Sequence, residues 1–330
     1  MTKTFIEVCA GAGGLSLGFI EQGFSPLLLN DNDKYCCQTL KKNHPNVTIK
    51  EGSMTDIDLK KMKKIFKKKK LDILMGGVPC QSFSQAGKRK GITDDRGKLI
   101  LHFIKMTDIL DPNIFLIENV AGLLTINKGE TLKYIINEFN KLGKYKIVYK
   151  ILNSNNYSVP QKRKRLIIVG VHKRLNKEFQ FPKEHKYKPV LKDVLIDCPK
   201  SPGQVYKQEK YDIMKLIPEG GCWVDLPEDL QKSYLKGSYK SGGGKRGIAK
   251  RLDMNKPSLT IMCSPQQKQT ERCHPIETRP LQTLESARIQ TFPDTYKFCG
   301  SLTQVYKQIG NAVPPNLAKA LAEEIENVLN

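Results

Sequence analysis

Apolar and polar positions fall into alternating blocks over the first half of the chain. Residues 5–9, 27–29 and 47–50 read as strands, and 73–75 and 114–117 are short apolar runs with the length of buried strands. The stretches 15–21, 33–44, 57–68 and 99–110 carry apolar residues at helical spacing. Residues 130–142 predict another helix, and 145–152 and 165–171 two more strands. Strands alternating with helices predict an α/β fold on a doubly wound, mostly parallel sheet.

Beyond about residue 184 the alternation stops. Pro182, Pro189, Pro199 and Pro202 interrupt the chain, and residues 237–247 form a glycine-rich basic loop. Residues 258–262 predict one strand, and Trp223 reads as packing of a small domain. Gly310-Asn311 ahead of Pro314-Pro315 suggests a helix-start anion site, followed by an amphipathic helix to Val328. The pattern divides the chain into one domain, 1–184 with 292–330, and a second, smaller, irregular domain with its hinge, 185–291.

Charge then narrows the partners. Lysine and arginine outnumber aspartate and glutamate 55 to 33, a net charge of +22. Such an excess attracts polyanions, and nucleic acid first among them. The lysine run at 60–70 reads as a solvated helix face, with Met62, Ile65 and Phe66 on the apolar side. Nine cysteines with no CxxC pair, and only five histidines, argue against structural zinc and for reduced thiols. No signal peptide and no membrane-spanning apolar run are legible, so the expectation is a cytoplasmic protein.

The candidate chemistry collects at strand ends. Gly11 to Gly14, Asp31, Ser53, Pro79-Cys80 and Glu118-Asn119 each follow the carboxyl end of a successive strand. Open α/β sheets bind ligands along that edge. A glycine turn followed by Asp31 suits a ribose-bearing cofactor, either a nicotinamide or a sulfonium donor. The turn reads GxGG, which tilts away from a dinucleotide pyrophosphate. Cys80 follows a proline, whose fixed φ stiffens the backbone that enters it. Glu118 ends an apolar strand and is placed either to carry a proton or to cap a helix. Arg163 and Arg165 alternate on an extended segment, so they share a face that suits phosphate or a base carbonyl.

Six blocks stand in one order: Glu7 through Gly14 (EVCAGAGG), Gly77 through Ser84 (GVPCQSFS), Glu118-Asn119-Val120, Gln161 through Arg165 (QKRKR), Arg279 through Pro293, and Gly310 through Pro314 (GNAVP). In these blocks the chain resembles the C5-cytosine DNA methyltransferases of bacterial restriction-modification systems, over nearly its whole length. The resemblance implies a Rossmann-like catalytic domain that binds S-adenosylmethionine and a target-recognition domain at 185–291. It implies methylation of C5 of a cytosine within a short sequence of double-stranded DNA, with S-adenosylhomocysteine as the other product.

The resemblance also distributes roles. Cys80 adds as a thiolate to C6 of a base flipped out of the duplex. Glu118 hydrogen-bonds and protonates N3, Arg165 holds O2, and Arg163 supports the loop. Cofactor contacts fall on Cys9, Ala10, Gly11, Ala12, Gly13, Gly14, Leu15, Asp31, Asn32, Ser53, Met54, Gly77, Pro79, Leu99, Asn311 and Ala312. DNA contacts fall on Gln81, Ser82, Ser84, Lys88, Arg89, Arg96, Lys245 and Arg246. No metal is needed, because the sulfonium is already activated. The implied partners are double-stranded DNA and a separately acting restriction endonuclease, with the enzyme a monomer on DNA. Cys9 stands where the family usually has an aromatic residue, Ser53 where an Asp is common, Asp31 where Glu is commoner, and Asn32 where a stacking side chain is usual.

Three other readings compete. A tRNA cytosine-C5 methyltransferase would share Cys80, Glu118 and Arg165. A nicotinamide oxidoreductase would leave Pro79-Cys80 and the arginine block unexplained. A non-catalytic DNA-binding module would have no use for an intact Pro-Cys and Glu-Asn-Val.

Overall fold

The computed structural model describes residues 2–66, 71–79, 95–240, 247–267 and 270–330. By packing, the chain forms two compact units: Met1–Asn153, Lys164–Glu184 and Val313–Asn330 in the first, and Ser154–Arg163 and His185–Ala312 in the second.

The first unit alternates strand and helix as the apolar pattern requires. In order run β1 (Thr4–Val8), α1 (Gly14–Glu21), β2 (Ser25–Asp31), α2 (Lys34–Asn43), β3 (Thr48–Glu51), α3 (Leu59–Phe66), β4 (Ile73–Gly76), α4 (Asp95–Leu110), β5 (Ile114–Val120), α5 (Glu130–Lys141) and β6 (Tyr145–Asn153). The second unit then contributes β7 (Gln161–Lys162), after which β8 (Lys164–His172) returns to the first. The seven-stranded sheet has the order β3-β2-β1-β4-β5-β8-β6. Strands β1 to β5 pair in parallel, while β8 runs antiparallel to both β5 and β6. The central strands are apolar on both faces because helices cover both. Strand β1 is buried throughout, and Phe115 of β5 stacks on Phe139 of α5 with centroids 4.2 Å apart.

One expectation about α3 needs correcting. Leu59 and Met62 are its buried positions, whereas Ile65 is 59% exposed. The lysines do solvate the helix, but the apolar stripe is narrower than the sequence suggests.

The second unit has little regular structure. Its helices are α6 (Lys192–Leu195), α7 (Gln208–Met214), α8 (Glu228–Leu235), α9 (Thr283–Ile289) and α10 (Leu302–Asn311), and β7 pairs in parallel with the two-residue β9 (Ser258–Leu259). The strand expected over 258–262 is thus only two residues long. A core of Met214, Ile217, Trp223, Leu226, Leu235 and Ile248 forms around Trp223. Buried Arg251 stands in for missing sheet hydrogen bonds: Nε donates to the Ile217 carbonyl at 2.6 Å and Nη2 to the Met214 carbonyl at 2.7 Å.

Packing places 154–163 and 292–312 in this second unit, whereas the sequence pattern groups them with the first. The cause is local: among the described residues β7 pairs with β9 alone, and α10 packs on the segment after β9. The chain ends on α11 (Pro315–Leu329), which belongs to the first unit. Gly310-Asn311 does not open that helix as expected; it closes α10. The helix end therefore offers carbonyls, and Arg163 Nη2 donates to that of Asn311 at 3.3 Å. A cation suits the C-terminal end of a helix, where an anion would not.

Candidate active site

Strand order reverses between β1 and β4, which lie side by side with helical connections leaving in opposite directions. Such switch points leave a crevice at the carboxyl edge of the sheet. Register aligns the ends: Val8 faces Asn30 on one side and Gly76 on the other, and Gly76 faces Ile117.

The turn after β1 is held open by backbone geometry. Gly11 and Gly13 have φ of 57° and 80°, in the left-handed region that side chains disfavour. Nothing lies within 4 Å of where a Cβ on Gly11 would sit. Asp31, at the end of β2, accepts the Gly11 N–H at 2.8 Å through Oδ2 and the Asp33 N–H at 2.8 Å through Oδ1. One carboxylate thus joins the turn to the second strand. Cys9 adopts φ of 53°, and its Sγ lies 3.9 Å from Met54 Sδ. Ser53 caps a short 3₁₀ helix, accepting the Thr55 N–H, while Asp56 accepts the Ser53 N–H at 3.1 Å. Asn32 is exposed and Leu99 half-buried against the core.

Beneath the turn lies a buried carboxyl group. Glu7 of β1 is wholly buried and accepts a hydrogen bond from the Ser16 hydroxyl of α1. Burial pushes its pKa up to about 8; the Ser16 bond opposes that shift, and the negative charges of Asp31 and Glu118 add to it. The period-2 pattern of a buried strand gives no hint of a carboxylic acid inside.

At the next strand ends, Asn119 Nδ2 donates to the Val78 carbonyl at 2.8 Å and its Oδ1 accepts the Val120 N–H at 2.9 Å. The chain leading to Pro79 is thereby tied to the end of β5. The Glu118 carboxylate lies over Gly77, where a Cβ would be 3.4 Å from Oε2 and 3.7 Å from the Cys9 carbonyl. Arg165 Nε meets Glu118 Oε1 at 2.8 Å, and Arg165 Nη1 donates to the Lys164 carbonyl at 2.8 Å.

The first unit thus gathers the glycine turn, Asp31, Met54, Gly77, Glu118 and Arg165 along one sheet edge. The two arginines do not form the pair the alternation suggests. Arg163 is 1% exposed in the second unit, where it donates to the Ile261 and Asn311 carbonyls at 3.4 and 3.3 Å. Its guanidinium serves main-chain acceptors rather than a second phosphate. Asn311 is exposed, accepts the Cys263 thiol at 3.0 Å through Oδ1, and precedes buried Ala312. Cys80, Gln81, Ser82, Ser84, Lys88, Arg89, Lys245 and Arg246 lie outside the described residues, and of Arg96 only the backbone on α4 is described.

An open α/β sheet with a glycine turn, a carboxylate ending its second strand and a carboxylate–guanidinium pair at the end of its fifth fits an S-adenosylmethionine-dependent methyltransferase. Comparison with known proteins narrows the class. The sequence profile of the C-5 cytosine-specific DNA methylases matches residues 3–327. Type II methyltransferase M.Sau96I of Staphylococcus aureus is 48% identical over 330 residues, covering 98% of this chain and 76% of that protein. Type II methyltransferase M.PspPI of Psychrobacter sp. is 47% identical over 337 residues, covering 99% and 80%. A solved E. coli prophage protein described as a candidate DNA modification methyltransferase shares the fold, with a TM-score of 0.75 at 24% identity over 100% of both chains.

The chain belongs to the C-5 cytosine-specific DNA methylase family. Its reaction is methylation of cytosine C5 in DNA, with S-adenosylmethionine as donor; DNA, not tRNA, is the substrate the comparisons favour. The residues present fit that donor: the turn is open at Gly11, and Asp31 offers a carboxylate at the height expected for a ribose diol. Among the described residues no helix is long and apolar enough to cross a membrane.

Proposed function

We propose that the protein methylates one cytosine within a specific short sequence of double-stranded DNA, with Cys80 as the nucleophile. We further propose that it is the modification enzyme of a Type II restriction-modification system, acting as a single chain in the cytoplasm beside a separate endonuclease. The Type II methyltransferases at 47% and 48% identity support the second part. The Arg165–Glu118 pair carries the first, since it ends the strand to which the approach to Cys80 is tied. Cys80 follows the described Val78-Pro79 by one residue and itself lies outside the described residues.

In this reading the Cys80 thiolate forms a bond to C6, and the C5–C6 π electrons shift through the ring toward O2 and N3. Glu118 hydrogen-bonds N3 and delivers a proton there. Arg165 uses Nε on Glu118 and Nη1 on the Lys164 carbonyl; Nη2 is the donor assigned to cytosine O2. Charge that builds up on the ring is thus met by donors already fixed in place. C5 becomes a carbon nucleophile. Bound S-adenosylmethionine supplies an activated methyl group. A base then takes the C5 proton, the C5–C6 double bond re-forms as the sulfur leaves C6 as thiolate, and N3 returns its proton to Glu118. Asp31 and the Gly11 to Gly14 turn orient the donor, with Cys9 and Met54 at the adenine end. The arginines and lysines at 88, 89, 96, 245 and 246 meet DNA phosphates.

The test is expression in a host lacking 5-methylcytosine, followed by base-resolution mapping. The reading expects modification at one short sequence context. Unmodified DNA with label appearing in tRNA would reject it.

A further inference from the structure

Ser53 and Met54 stand on a short turn after β3 that the neighbouring strand fixes. Asn30 of β2 is 1% exposed and donates through Nδ2 to the Lys50 and Gly52 carbonyls, at 2.9 Å each. Within the turn, Ser53 Oγ accepts the Thr55 N–H at 3.2 Å and the Thr55 hydroxyl at 2.7 Å. A hydroxyl oxygen has two lone pairs, so Ser53 has no acceptor left for a ligand.

A vacant acceptor stands beside this turn, on α4. His102 is half-buried and lies three residues after Leu99, on the same side of the helix. Its ring donates a hydrogen bond to the Met54 carbonyl, the one acceptor of that backbone unit. Its Nε2 is buried and, among the described residues, has no partner. Nδ1 therefore makes the bond to Met54. Burial holds the His102 pKa below 6.5 and the Lys105 charge adds to this, while the Met54 bond and the Asp56 charge oppose it. The neutral ring carries its proton on Nδ1 and a lone pair on Nε2. A buried acceptor without a donor is costly and marks a place where a partner belongs.

We infer, on the reading that the donor's adenine lies against Cys9 and Met54, that His102 is a specificity-determining residue of the cofactor site: its Nε2 accepts a hydrogen bond from the adenine 6-amino group. The sulfur atoms of Cys9 and Met54 are 3.9 Å apart, and the Met54 backbone holds the imidazole beside them. Adenine can satisfy Nε2 at one point only. Its free ring nitrogens accept hydrogen bonds, and its N–H donors are all on the exocyclic amine. A 6-oxo purine would instead set oxygen lone pairs against the nitrogen lone pair. The site should therefore select a 6-amino purine.

Calorimetry without DNA tests this by comparing S-adenosylhomocysteine with S-inosylhomocysteine, whose purine carries a 6-oxo group and a proton on N1. Wild-type protein is expected to bind the adenine ligand about tenfold or more tighter. His102→Leu removes both ring nitrogens, and the preference should fall by about threefold or more. Loss of the Nδ1 bond to Met54 weakens both ligands alike, so the ratio of the two affinities isolates Nε2. A fall in that ratio of less than about threefold overturns the inference, as does a wild-type preference below about threefold. Equal weakening of both ligands would mark a histidine that only supports the turn, or one whose Nε2 holds a water. Circular dichroism checks the fold; should His102→Leu not fold, His102→Phe is measured instead. Met54→Ala tests the placement of the adenine separately and is expected to weaken both ligands. Unchanged affinity for both in Met54→Ala rejects the placement, whereas an unchanged ratio in the His102 variant rejects the role of the histidine.

Discussion

Arg165 Nε lies 2.8 Å from Glu118 Oε1, with the two side chains 13% and 11% exposed. Sheet register produces the pair. Strands β5 and β8 run antiparallel with Val120 opposite Arg165, and Glu118 lies two residues back on the same face. That diagonal is within reach of a long side chain. If the pair serves the reaction, its geometry matters as well as its charge. Arg165→Lys keeps the charge but loses the planar fork. Both Arg165→Lys and Glu118→Gln are expected to slow single-turnover methyl transfer by about 10²-fold or more, in the range for a positioned acid–base group. Rates within threefold of wild type would remove the pair from the mechanism.

Glu7 makes stability depend on pH. Its folded-state pKa of about 8 stands above the ordinary value of 4.5, chiefly through burial. The folded state therefore binds the proton more tightly than the unfolded state. This contribution is fully present below about pH 4.5 and is lost as pH rises through 8. Glu7→Gln keeps an uncharged group of the same shape and should flatten that part of the profile. Urea denaturation of both proteins between pH 5 and 9 checks it; parallel profiles would contradict the assignment.

Asp31→Ala leaves the Gly11 and Asp33 N–H groups without their carboxylate and removes the acceptor proposed for the ribose. Hydrogen bonds to a charged group are worth about 1.5–3 kcal/mol, so affinity for S-adenosylmethionine should fall by about 10- to 100-fold. Equilibrium binding without DNA measures this directly. An unchanged dissociation constant would place the cofactor away from this edge.

A net charge of +22 predicts a DNA affinity dominated by phosphate contacts. Raising salt from about 50 to 200 mM should weaken binding by roughly 10³-fold or more if six or more phosphates are neutralised. A flat salt dependence, measured by fluorescence anisotropy, would show that the charge serves some other purpose.

Much of the first unit was legible because its central strands β1, β4 and β5 are buried on both faces and read as largely apolar runs. The direction of β8 was not read, although the sequence held a clue. Only residues 154–163 separate β6 from β8, too few for the crossover a parallel pair needs. Ser53 and Asp56, three apart, likewise carry the spacing of a capping box, which the structure forms. Gln161 and Gln290 are a different case. They meet across 129 residues, and no local pattern marks a glutamine whose partner lies that far along the chain. Glu7 was hidden for a similar reason, since a strand's period gives the face a side chain takes but not what waits there. Gly310-Asn311 misled because a glycine before prolines fits a helix start and a helix end equally well.

The most direct test of the account is the bond it requires. A duplex with 5-fluorocytosine at the mapped target has no C5 proton to lose, so the elimination step cannot occur. With S-adenosylmethionine and active enzyme, a stable protein–DNA adduct should accumulate, and peptide mass mapping should locate it on Cys80. Active enzyme that forms no adduct, or an adduct on another residue, would contradict the account.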